Sequence, residues 1–113
     1  MTHDPAQPCL VYTTFPSLDD AETTGRALVE AGLVACANIL PGMVSLYRWE
    51  GRTERGDEVV MLLKTTAGHA AAVVEAVRAR HPYELPAIVV LPIAGGLPAY
   101  LDWIAGEVGG TGA

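Results

Sequence analysis

Between Leu33 and Thr66 two long extended runs stand almost back to back, separated only by the pair Glu50-Gly51. The first, Leu33-Val-Ala-Cys-Ala-Asn-Ile-Leu, is mostly apolar, and alternation resumes from Met43 to Trp49 after Pro41-Gly42. Proline cannot donate to a central ladder, so Pro41-Gly42 must bend or bulge the strand. The return run, Arg52 to Thr66, passes through charged residues into Val59-Val-Met-Leu-Leu, which has the composition of a buried strand. Glu50-Gly51 reads as the hairpin tip. The whole is a long, bent hairpin with more length than a small sheet needs for its own pairing, and the excess is available for contacts between subunits.

Helical segments lie on both sides of it. Ser17 is a good N-cap, with Asp19, Asp20 and Glu22 in the first turn, where the helix dipole favours negative charge. Ala21, Ala27, Leu28 and Ala31 recur at helical spacing and Gly32 supplies the stop. Gly68 to His81 forms a second helix, with Ala70, Val73, Val74 and Val77 inward and Arg78, Arg80 and His81 at its C-terminal end. Pro82 and Pro86 push the residues before them out of the helical region, so His81 is expected to be the last helical residue. Cys9 to Thr14 reads as a first strand, Ala87 to Ile93 as a buried fourth strand, and Pro98 as the start of a short third helix. The order predicts an α+β, ferredoxin-like βαββαβ sandwich with an added C-terminal helix, both main helices covering one sheet face. The other face then requires a cover, which implies assembly.

A length of 113 residues fits a single domain, expected over residues 9–107 between a flexible tail at 1–8 and a frayed end at 108–113. Half the chain is hydrophobic and 18% is charged, against about 25% in an average soluble domain, which again favours a homo-oligomer. The net charge of −6 excludes the basic face that nucleic-acid binding needs. No apolar run approaches the roughly 20 residues that span a bilayer. Two cysteines, Cys9 and Cys36, lie far apart without C-x-x-C spacing or a secretory signal before them, so a reduced, cytoplasmic protein is expected. His3 could wrap Cu(II) or Ni(II) with the amino terminus, although an incidental histidine in a flexible tail accounts for it as well.

The candidate chemistry concentrates in His81-Pro-Tyr-Glu-Leu-Pro. His81 can offer a ring nitrogen to a metal while Glu84, three residues on, offers an oxygen; equally, His81 can simply end its helix and bond a carbonyl. Cys36, in an apolar strand, reads first as a small buried hydrophobe and second as a soft copper ligand. Tyr47, Arg48, Trp49 and Glu50 suit a subunit contact or an inter-subunit cleft, to which Lys64 and Tyr83 could contribute. No catalytic triad or phosphate loop can be proposed, so an enzyme is not expected.

Several stretches together resemble the CutA family of divalent-cation tolerance proteins: Leu33-Val-Ala-Cys-Ala-Asn-Ile-Leu-Pro-Gly, Ser45-Leu-Tyr-Arg-Trp-Glu-Gly, Val60-Met-Leu-Leu-Lys-Thr, His81-Pro-Tyr-Glu-Leu-Pro, Leu91-Pro-Ile and Tyr100-Leu-Asp-Trp-Ile. The resemblance implies a ferredoxin-like subunit in a tight homotrimer of PII-like build, linked to copper tolerance and binding Cu(II) or another divalent cation without a known reaction. His81 matches the histidine of the family's His-Pro-Tyr motif. Some bacterial members carry a second histidine where this chain has Arg80, and a cysteine at the end of the first strand where it has Thr13. The alternative is a PII-like signalling or adaptor trimer that takes a small molecule or partner protein in clefts near Tyr47, Trp49, Lys64 and Tyr83.

Overall fold

The computed structural model describes residues 4–109. The elements are β1 (Pro8–Phe15), α1 (Leu18–Glu30), β2 (Cys36–Trp49), β3 (Arg52–Thr66), α2 (Ala70–Arg80), β4 (Ile88–Pro92) and α3 (Pro98–Glu107). The four strands form one antiparallel sheet in the order β2-β3-β1-β4. β1 and β2 therefore run parallel with β3 inserted between them, the split arrangement expected for this element order.

Local chemistry sets the boundaries. The Ser17 hydroxyl accepts the Asp20 amide at 3.1 Å, capping α1. Gly32, at φ 73°, ends the same helix, with its N–H donating to the Val29 carbonyl and that of Leu33 to the Leu28 carbonyl. The β2–β3 hairpin turns through Glu50 and Gly51 at φ 50° and 77°, the two left-handed positions of the turn type that matches strand twist. The bulge falls between Leu40 and Met43, where Gly42 takes φ 84° beside Pro41.

One sheet face carries the core. Val11 and Phe15 of β1 with Val59, Met61 and Leu63 of β3 meet Ala21 and Leu28 of α1 and Val73 and Val77 of α2. Burying each of the larger side chains contributes about 1.5–3 kcal/mol. Gly25 keeps α1 close to the sheet: a Cβ there would stand 2.9 Å from Met61 Sδ and 3.1 Å from Ala37 Cβ. The alternate residues Leu10, Tyr12, Val60 and Leu62 face the opposite side, beside Val89 and Leu91 of β4, which are 51% and 44% exposed. Among the described residues, α3 meets this open face at Lys64.

Three expectations change. β4 is not buried: among the described residues it is an edge strand paired only to β1, and Val89 and Leu91 are exposed because no described element covers the open face. α2 ends at Arg80 rather than His81, whose backbone is extended at φ −79° and ψ 138°, the conformation that a following proline imposes. Residues 5–8 are not a free tail, since Pro5 and Gln7 carbonyls accept the Gly68 and Ala67 amides at 2.9 and 2.8 Å and Pro8 already belongs to β1. His3 and residues 110–113 lie outside the described residues.

Candidate functional site

The proline-bounded turn after α2 places His81 against the end of β1. Its imidazole stacks on Phe15, with ring centroids 4.4 Å apart. The Tyr83 amide donates to Nδ1 at 3.1 Å, so the ring proton sits on Nε2, which donates to the Thr14 carbonyl at 2.6 Å. Both nitrogens are thus engaged, and His81 ties the turn to β1. Beside it, the Thr14 hydroxyl donates to Glu58 Oε2 at 3.1 Å. Burial, and then the Glu58 charge and Tyr47, hold the Tyr83 phenol above its usual range. Tyr47 lies over Gly56, which leaves it room. Glu84 is exposed on the same turn.

A second polar group occupies the other end of the open face. Lys64 Nζ donates to the Tyr100 hydroxyl at 2.9 Å and lies 5.1 Å from the centre of that ring. The same hydroxyl is 4.0 Å from Cys36 Sγ, and the thiol also faces Asn38 Oδ1 at 3.9 Å. Tyr100 stacks on Trp103 with ring centroids 5.6 Å apart. The Tyr100 hydrogen bond holds the Lys64 ammonium above the usual lysine range, against a smaller opposing effect of burial and with the Cys36 and Tyr100 charges adding to the rise.

The residues singled out from sequence therefore divide. His81, Glu84, Tyr83 and Tyr47 belong to the turn end, while Cys36 and Lys64, paired across β2 and β3, belong to the α3 end. Thr14, which His81 bonds, pairs with Val60, four residues along β3 from Lys64 and hence about 13 Å away at strand spacing. Cys36 and His81 of the same chain cannot share an ion. Trp49 sits apart at the hairpin tip, 58% exposed. Among the described residues no three of His, Cys, Asp and Glu converge as a metal-binding group. Thr13 is fully buried on the core side of β1, and its hydroxyl has no partner there. A cation binding at Nδ1 would have to displace the Tyr83 amide. Thr14, Phe15, Glu58 and Asn38 carry no local sequence signal for these roles. For Tyr100 the pointers are its place at the start of the third helix and in the family-like stretch Tyr100-Leu-Asp-Trp-Ile, neither of which pairs it with Lys64 or Cys36.

Comparisons with known proteins converge. The family model described as CutA1 divalent ion tolerance protein matches residues 9–107. The divalent-cation tolerance protein CutA of Thermus thermophilus is 46% identical over 100 residues, covering 88% of this chain and 97% of that one. Protein CutA of Mus musculus is 38% identical over 100 residues, covering 88% of this chain and 56% of the mouse protein. The crystal structure of CutA from Xylella fastidiosa superposes with a TM-score of 0.87 at 42% identity, over 90% of this chain and 98% of that chain. A structure from Archaeoglobus fulgidus, titled a periplasmic divalent cation tolerance protein CutA, gives 0.84 at 40% identity over 88% and 97% of the two chains.

Proposed function

The chain belongs to the CutA1 divalent ion tolerance family, and on that footing we propose that it is a non-enzymatic homotrimer that binds divalent cations weakly, Cu(II) above the others, at His81 with Glu84 beside it. The observation that carries this reading is the His81-Pro82-Tyr83 motif held on a surface turn with an exposed carboxylate next to it. The preference for copper follows from the stability order of divalent ions at imidazole nitrogen. The trimer, of PII-like build, draws support from the open apolar face of the sheet and from the exposed edge strand β4. Free thiols at Cys9 and Cys36 fit a reduced, cytoplasmic setting. No helix among the described residues is long and apolar enough to cross a membrane.

Calorimetric titration of Cu(II) into the full chain tests the site. His81→Phe keeps a ring against Phe15 and removes both nitrogens, so binding should weaken by at least about tenfold. Equal binding in both proteins removes His81 from the site, and a loss confined to His3→Ala assigns copper to the amino terminus instead.

A second reading, a signalling or adaptor trimer, is favoured by the aromatic and ammonium groups of Lys64, Tyr100 and Trp103 at the margin of the open face. It expects a metabolite or nucleotide to raise the unfolding midpoint in a thermal-shift panel. A panel responding to metal alone counts against it.

A further inference from the structure

The two ring nitrogens of His81 meet their partners in different surroundings. Nε2 donates to the Thr14 carbonyl at 2.6 Å in a part-buried contact, and the ring lies on Phe15, which is fully buried. Nδ1 accepts the Tyr83 amide at 3.1 Å in an exposed contact. A ligating histidine offers the lone pair of one nitrogen and gives its other ring N–H to a carbonyl or carboxylate, which fixes the tautomer. His81 is already held in that form, with Nδ1 carrying the lone pair on the side open to solvent. The donor therefore fits a cation. The same lone pair also fastens the turn after α2, and it has room for one partner.

Resting on the proposal that His81 is the cation ligand, we infer that a divalent cation and the Tyr83 amide compete for Nδ1, so that cation occupancy unlatches the turn from Pro82 to Pro86. Binding breaks the bond from the Tyr83 amide and leaves the Nε2 bond to Thr14 and the stack on Phe15 in place. The ring stays anchored while the segment after it is released. Thr14 is itself fixed by its pairing with Val60 and by the bond from its hydroxyl to Glu58, so the part set free is the turn and not the strand. The released segment carries Tyr83 and Leu85, which are 42% and 87% exposed. Coupling of this kind is reciprocal: whatever holds the turn closed weakens the cation by the same factor by which the cation opens the turn. Occupancy of one nitrogen is thereby converted into the order of a surface segment, the form that ligand switches commonly take.

The test is nuclear magnetic resonance of the isotopically labelled full chain, titrated at fixed pH with Zn(II) as a diamagnetic divalent probe. Without metal, a scalar coupling is expected across the hydrogen bond from the Tyr83 amide to Nδ1. With Zn(II) the Nδ1 resonance should move, the coupling should vanish, and the Tyr83 amide should exchange with water about tenfold faster, while the Nε2 proton stays protected. A Zn(II)-induced shift at Nε2 with the Tyr83 coupling retained, or a shift at Nδ1 with Tyr83 exchange unchanged, overturns the inference and leaves His81 as the ligand. No change at either ring nitrogen with Zn(II) in excess removes His81 from the site and overturns the underlying proposal as well.

Discussion

Replacing Phe15 with alanine is expected to remove about 3–5 kcal/mol of stability. Phe15 is fully buried at the end of β1, within the cluster that joins the sheet to α1 and α2, and its far face carries the His81 ring. Truncation therefore opens a cavity and also withdraws the platform on which the turn after α2 rests. Against a total of about 5–15 kcal/mol for an ordinary domain, the loss is a large fraction. Urea unfolding at fixed protein concentration, with wild type alongside, reads it directly. A change below about 1 kcal/mol would mean that the neighbouring side chains collapse into the space, and that the core is less closely packed around this ring than its burial indicates.

Leu62→Glu is expected to separate the proposed trimer into single chains. Leu62 lies at the centre of the open face, paired with Tyr12 on one side and Asn38 on the other. In an isolated subunit it is only partly covered, so a carboxylate there can reach water and the fold should survive with a small penalty. Beneath a second subunit the same carboxylate would be an unpaired buried charge, and burying it costs several kcal/mol. Light scattering after size exclusion should give three chains for wild type and one for the variant, with the far-ultraviolet circular dichroism retained. A variant that stays assembled with an unchanged unfolding midpoint would show that another surface holds the subunits together.

The parts of the fold legible in the sequence were those set by local chemistry. Ser17 as a cap, Gly32 as a stop, Pro41-Gly42 as a bulge and Glu50-Gly51 as a tight turn each act within a few residues, and each does so here. The exposure of β4 was not legible, because an apolar run reads the same whether its cover comes from its own chain or from another. The site divided along the same line. His81 was visible as a histidine before proline, but its partners Thr14 and Phe15 come from a strand more than 60 residues earlier, brought there by sheet register. Cys36 and Tyr100, 64 positions apart, meet only because α3 folds back over the end of β3. Sequence spacing could suggest that Cys36 and His81 share an ion; register places them at opposite ends of the strands.

Electron paramagnetic resonance of the protein loaded with less than one equivalent of Cu(II) tests the His81 site most directly, because it reports whether an imidazole nitrogen is bound to the metal. An imidazole signal in wild type that disappears in His81→Phe and persists in His3→Ala is the predicted result. The same imidazole signal in wild type and His81→Phe would contradict it.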